Sequence, residues 1–302
     1  MSEVAPVRYR SDDEDSARWH DFPFRQGDIV ISTRSKSGTT WMQMICALLV
    51  FQDPELPEPL GRLSPWIDWL GTPGHDLYAR LAAQKHRRFV KTHTPLDGIP
   101  LDARATYIVV GRHPLDTAVS LYHQSENIDR RRLRELTGQP EPANPPPPPP
   151  PLHEWLLSWI DWDGDPHQQM DSLPGVVRHA SDAWARRHQS NIVLAHYDDL
   201  SIDLEGEMRR LAALLGIAVA ESKWTEIVPE ARFERMRSRA AQTDPDPADI
   251  LKSRAQFFRR GTSGSGREIL SPAEQARYRA RIESLAPPDV VAWLEHGSRT
   301  PP

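Results

Sequence analysis

A chain of 302 residues, 38% of them apolar, can bury the core of one large α/β domain or two small ones. A formal net charge of -5 sets it against general nucleic-acid binding, so any basic cluster has to be a specific anion site. One cysteine, Cys46, excludes an intramolecular disulfide and fits a reducing, cytoplasmic setting, and the longest apolar run, Trp41 to Phe51, falls short of the ~20 residues that span a bilayer.

Residues 1–26 are polar, carry Asp12, Asp13, Glu14 and Asp15, and predict an irregular lead-in that is not a signal peptide. A domain over 27–298 follows. It opens on the apolar run Ile29-Val30-Ile31, then the turn Ser32 to Thr40, then the apolar stretch from Trp41. This order predicts a buried strand, a loop and a helix. The unpaired N–H groups of such a helix start attract an anion, and Lys36, Ser37, Gly38, Thr39 and Thr40 add a point charge and further donors. Lys36 precedes Gly38, whereas a triphosphate loop places its Lys after the second Gly.

The Pro- and Gly-rich stretch 53–74 reads as a loop in which Trp66 and Trp69 either pack or line a pocket. Helices are expected over 76–86 and 175–188, from Leu204 to Leu215, and from Pro272 onward. Short apolar strands are expected at 29–32, 88–92, 106–111 and 191–196. Their alternation with helical patterns predicts an α/β, P-loop-like fold: one domain with a parallel sheet covered by helices on both faces. Ligands bind such sheets beyond the strand C-terminal ends. Here those ends lead into Lys36, His93, Arg112 and Tyr197.

A Pro-rich insertion or lid is expected over 128–172. It contains Arg130, Arg131, Arg132 and Arg134 and the run Pro145 to Pro151, about 20 Å of polyproline II at ~3.1 Å per residue. The Trp-rich turn Leu152 to Trp162 then reads as a lid over an apolar acceptor or as a peripheral membrane contact. A second polar linker is expected over Asp244 to Asp249.

His93 at a strand end is a general-base candidate, and Arg112, two helical turns from Ser120, is a phosphate ligand candidate. Taken in order, these motifs resemble the sulfotransferases that use 3′-phosphoadenylyl sulfate. The resemblance rests on Lys36-Ser37-Gly38-Thr39-Thr40-Trp41, Lys91-Thr92-His93, Arg112 with Ser120, Tyr197-Asp198-Asp199-Leu200, Phe233 to Met236, and Phe258-Arg259-Arg260-Gly261. It covers roughly residues 25 to 270. Within the family, His86 to Gly98 and Leu285 to Asp289 look most like actinobacterial glycolipid sulfotransferases.

The resemblance implies the following roles. His93 is the base, Lys36 stabilises the leaving diphosphate, and Lys91 assists at the sulfuryl oxygens. The loop holds the 5′-phosphate. Arg112, Ser120, Arg259, Arg260 and Gly261 hold the 3′-phosphate, and Trp41, Tyr197, Phe233 and Met236 meet the adenine. Ser120 holds Lys36 aside before the acceptor binds. The product is adenosine 3′,5′-diphosphate, the acceptor a small-molecule or lipid hydroxyl, and no metal is called for.

The chain departs from the pattern in three places. Arg34-Ser35 replaces an aromatic-Pro pair, which predicts an extra cation near the phosphosulfate. Ala231-Arg232 replaces two hydroxyl residues, and Gly264-Ser265-Gly266 predicts a floppier loop than the family's Gly-Asp-Trp. Two other readings stand beside this one: a P-loop small-molecule kinase, and a catalytically weak binding or scaffold protein that uses the polyproline tract.

Overall fold

A computed structural model describes residues 5–144, 147–243 and 248–298. In chain order the elements are β1 (Ile29–Thr33), α1 (Thr39–Phe51), α2 (Leu60–Leu63), α3 (Gly74–Ala83), β2 (Phe89–Thr92), β3 (Thr106–Gly111), α4 (Pro114–Asn127) and α5 (Arg130–Thr137). Then come α6 (Leu152–Asp161), α7 (Leu173–Arg186), β4 (Ile192–His196), α8 (Tyr197–Ile202), α9 (Leu204–Leu214), α10 (Glu221–Ile227), α11 (Phe233–Ser238) and α12 (Ala240–Thr243). Last are α13 (Arg254–Phe257), α14 (Ser265–Ile269), α15 (Pro272–Leu285) and α16 (Pro288–His296).

The four strands form one parallel sheet in the order β2-β1-β3-β4. The chain leaves β1 to one side for β2 and returns past it to β3. That makes β1 the switch point, the place where such sheets leave a crevice at their carboxyl edge. The register sets Ser32 against Thr92, Thr33 against Val110, and Gly111 against His196. The four polar strand ends therefore reach one edge.

Alternate residues along each strand feed two cores, as the period of two requires. Ile29, Ile31, Phe89, Ile108 and Val110 pack under α1 and α9. Val30, Val90, Tyr107 and Val109 pack on the other face with Trp19, Leu77, Leu81 and Ala183. In α1, Ile45, Leu48 and Leu49 are fully buried. Each such side chain contributes on the order of 1.5–3 kcal/mol, enough to hold the helix start against the β1 loop. Cys46 lies among them, and burial pushes its thiol up to about 12, an inert core group.

Two expectations change. The N-terminal segment is not merely irregular. Trp19 is fully buried and donates from Nε1 to Asp68 Oδ1 at 2.6 Å, and Tyr9, Phe22 and Phe24 are buried with it. The second concerns Leu152 to Trp162, which is not a lid. Leu156, Trp159 and Ile160 of α6 are buried in a third cluster with α4, α7 and α15, and Trp159 Nε1 donates to the Asp171 carbonyl at 2.7 Å. The apolar face that suggested a loose cover is spent on packing. Pro145 and Pro146 of the polyproline run, and residues 244–247 of the second linker, lie outside the described residues. Among the described residues no helix is long and apolar enough to cross a membrane.

Candidate active site

The loop between β1 and α1 turns sharply. The Ser37 N–H donates to the Arg34 carbonyl at 3.1 Å, and Lys36 and Gly38 both take left-handed backbone, with φ of 66° and 98°. Gly38 is needed twice over, for that φ and because a Cβ there would stand 3.1 Å from the Tyr197 ring. It caps α1 without any side-chain cap bond, so the first-turn N–H groups are left for an outside acceptor. The Thr33 and Thr39 hydroxyls, 2.5 Å apart, tie the helix start to the strand end.

Lys36 is drawn across the cavity. Its Nζ sits 3.4 Å from Gln124 Oε1 and 3.9 Å over the Phe257 ring. Burial first, then the charges of Arg112, Lys91 and Arg259, lower its pKa to about 7. The Ser120 bond that the family likeness implies is not among those formed by the described residues; Gln124, one helical turn on, takes its place.

Arg112 follows β3. One of its nitrogens donates to the Lys36 carbonyl at 2.8 Å, its guanidinium lies 4.2 Å over the Tyr197 ring, and its Nε is buried with no partner among the described residues. Arg259 and Arg260 border the same cavity. Burial and the neighbouring charges of Arg260 and Arg112 lower the Arg259 pKa. Among the described residues no carboxylate pairs with Arg112, Arg259 or Arg260. Asp116, whose charge reaches Arg259, is already used. It accepts from the Gly264 N–H at 2.8 Å and the Gly266 N–H at 3.0 Å. Gly264 to Gly266 is thus pinned to the start of α4 rather than left floppy. This concentration of unpaired cations is the electrostatic signature of a site for a doubly charged phosphate.

Aromatic rings close this end. Trp41 and Tyr197 meet edge to face at 5.0 Å, and Trp41 Nε1 donates to the Ala231 carbonyl at 2.7 Å, so the backbone of the altered Ala231-Arg232 pair anchors the wall. Gly261, at φ 68°, runs so close under Phe233 that an added Cβ would come within 2.3 Å of the ring. Gly261→Ala is therefore expected to push the Arg259–Arg260 loop off Phe233. Calorimetry with adenosine 3′,5′-diphosphate should read an affinity loss of about 10-fold or more, the equivalent of one charged hydrogen bond.

At the opposite end stands His93. Its Nδ1–H donates to the Thr33 carbonyl at 2.7 Å, which fixes the tautomer and leaves Nε2 as the proton acceptor. Its ring meets Trp66 edge to face at 4.7 Å, and Trp66 stacks on Trp69 at 5.1 Å. Burial, then the charges of Lys91 and Arg34, hold its pKa well below 6.5, so the ring is neutral at physiological pH. Lys91 extends its ammonium 4.7 Å over Trp66. Asp68, fully buried beneath, accepts from Thr92 Oγ1 at 2.5 Å, the His93 N–H at 3.2 Å, and the Trp19 and Trp66 indoles.

One cavity of about 770 Å³ joins these parts. Fifteen of the sixteen residues singled out from the sequence border it, from Lys36 and His93 to Met236 and Gly261. The exception is Ser37, whose side chain is buried behind the loop beside Val110 and Trp293. Sequence reasoning missed the wall formed by Tyr9 to Ser11 with Asp13 and Glu14, and the parts of the insertion that reach the cavity, Leu133, Leu136 and His167 to Asp171. It also missed the partners of Arg34, which borders the cavity and donates to the His93 carbonyl and to Asp171 Oδ1.

The chain as a whole has relatives among known proteins. A family model described as a sulfotransferase domain matches residues 26–287. A glycolipid sulfotransferase of Mycobacterium bovis is 42% identical over 311 residues, covering 97% of this chain and 95% of the relative. One from Mycobacterium tuberculosis is 41% identical over 310 residues with the same coverage. Among solved structures, a mouse sulfotransferase complexed with PAP superimposes with a TM-score of 0.68 at 20% identity, over 92% of this chain and 91% of that one. A retinol dehydratase solved with androsterone and PAP gives a TM-score of 0.66 at 20% identity, over 90% and 84%. At that identity the two structures speak for the fold.

Proposed function

The chain belongs to the sulfotransferase family, and from that premise we propose that it moves a sulfuryl group from 3′-phosphoadenylyl sulfate to a hydroxyl of an amphipathic acceptor, a glycolipid. The observation that carries the reading is the single cavity in which an unpaired cationic cluster meets a tethered, neutral histidine. The residues present fit the donor. Arg112, Ser120, Arg259 and Arg260 offer a cationic seat for the 3′-phosphate, and the N–H groups of Gly38 to Trp41 cradle the 5′-phosphate. Trp41, Tyr197, Phe233 and Met236 form an apolar slot for a base.

The donor supplies the sulfuryl group, and the chain's own residues manage charge and protons. His93 Nε2 accepts the acceptor's hydroxyl proton as the new oxygen–sulfur bond forms and the sulfur–phosphate oxygen bond breaks. Lys36 neutralises the charge left on that phosphate oxygen, and Lys91 assists at the sulfuryl oxygens. Positioning and fixed positive charge are the main levers for such a transfer.

The acceptor side is two-faced. Asp13, Glu14, Arg10 and Asp171 give it a polar wall, whereas Ile128, Leu133, Leu136 and Leu251 give it an apolar one. A sugar head joined to a lipid tail would satisfy both, in keeping with what the mycobacterial relatives are named for. A cytoplasmic setting suits the single buried thiol. The test is direct. Adenosine 3′,5′-diphosphate at a hundred times its Kd should stabilise the protein by about 2.7 kcal/mol, while adenosine 5′-phosphate should not. Labelled donor offered with glycolipids, phenols and sterols in the presence of EDTA should then mark the glycolipids. No stabilisation would remove the donor from the reading, and turnover that stops in EDTA would favour a kinase-like chemistry.

A further inference from the structure

Arg34 is buried, with 4% of its side chain exposed. One guanidinium nitrogen donates to the His93 carbonyl oxygen, and another to Asp171 Oδ1 at 2.6 Å. Its Nε has no partner among the described residues. The side chain therefore bridges three segments: the turn after β1, the strand end that carries His93, and the stretch between α6 and α7. Thr33, the residue before it, holds the His93 ring by Nδ1. Backbone and ring of the histidine are both fastened to the pair Thr33-Arg34.

We propose that Arg34 is a positioning residue for His93, fixing its backbone at the carbonyl and holding the Asp171 wall of the cavity beside it. The proposal rests on the sulfotransferase reading, in which His93 is the base. Burying a guanidinium is expensive, and an apolar side chain would pack the same space at lower cost. What an apolar side chain cannot do is serve two acceptors at once. A planar guanidinium does so from separate nitrogens in a fixed fork, whereas the ammonium of a lysine is one compact point with no such fork. The bridge also sets the field at the imidazole. Lys91 from β2, Arg34 and Lys36 all disfavour its protonated form. Asp68 lies under its backbone, while Asp171 pairs with Arg34 and Glu14 feels the charge of Arg34. His179 of α7, on the sheet side, is held neutral by burial with its Nε2 2.9 Å from Ser32 Oγ.

The experiment compares Arg34→Met and Arg34→Lys with the wild-type chain, reading kcat against pH and the affinity for adenosine 3′,5′-diphosphate. In Arg34→Met the base loses the tie at its backbone carbonyl, and kcat should fall on the order of 10–100-fold, the usual penalty of a misplaced catalytic group. With one positive charge gone, the acid limb of the profile should move to higher pH. Nucleotide affinity should stay at the wild-type value. Arg34→Lys keeps the charge and loses the fork, so its limb should stay low while kcat still falls. Wild-type kcat and an unshifted limb in Arg34→Met would overturn the proposal, as would a loss of nucleotide affinity in step with kcat. A wild-type chain that fails to bind the nucleotide would instead sink the donor reading, and this proposal with it.

Discussion

His93→Ala is expected to lower kcat by about 10²–10⁴-fold, the range a positioned base supplies, while adenosine 3′,5′-diphosphate binds as before. The split follows from where the histidine stands. It borders the Trp66–Trp69 end of the cavity, and none of its bonds reaches Arg112, Arg259 or the α1 start. Removing the ring opens space beside Trp66 and leaves the cationic cluster intact. The pH dependence carries a second check. The base must be neutral to accept a proton, so activity falls as pH drops through its pKa. Burial and the facing cations keep that pKa well below 6.5, which puts the acid limb of the wild-type profile below pH 6.5. A limb at or above the ordinary histidine value would point to another base. Equal losses of turnover and nucleotide binding in His93→Ala would mean that the residue holds the fold instead.

The fold was legible because each strand is a short apolar run that ends abruptly in polar residues. Val109-Val110 before Gly111-Arg112 leaves little choice about where the sheet stops, and the observed Thr106–Gly111 matches the expected span. The site was legible for the same reason: in a parallel sheet strand ends converge, so Lys36, His93, Arg112 and Tyr197 had to meet. What lay beyond reach were contacts made across long stretches of chain. Arg34 is 137 residues from Asp171, and nothing near either one announces the partner. The Trp-rich α6 failed differently. Its sequence shows an apolar face but not which surface covers it, and α4 and α15 were as eligible as a ligand. The polar lead-in did contain a signal that deserved more weight. Trp19, Phe22 and Phe24 within six residues are too much apolar surface to leave in solvent.

Lys36→Met should be the more informative substitution, because it changes rate, affinity and proton count together. In the proposed reaction its ammonium meets charge on the leaving oxygen, and losing one such contact costs about 10²–10³-fold in kcat. Affinity for adenosine 3′,5′-diphosphate should fall about 10–100-fold, as for a hydrogen bond to a charged partner. The proton count distinguishes Lys36 from the arginines around it, which do not titrate. Its pKa of about 7 in the ligand-free chain means that at pH 8 most of the protein carries it neutral. A phosphate placed beside it favours the charged form, so binding at pH 8 should draw in about one proton, visible when calorimetry is repeated in buffers of different ionisation enthalpy. The nucleotide is fully ionised at that pH and contributes no proton of its own. Stability has the matching sign. The unfolded chain holds this proton up to about pH 10.4 and the folded chain sheds it near pH 7, so the unfolded state binds more protons in between. Lys36 therefore makes the ligand-free protein gain stability as pH rises from about 7 to 10, and Lys36→Met should flatten that slope. Proton uptake that persists unchanged in Lys36→Met would assign it to another group and remove Lys36 from the phosphate site.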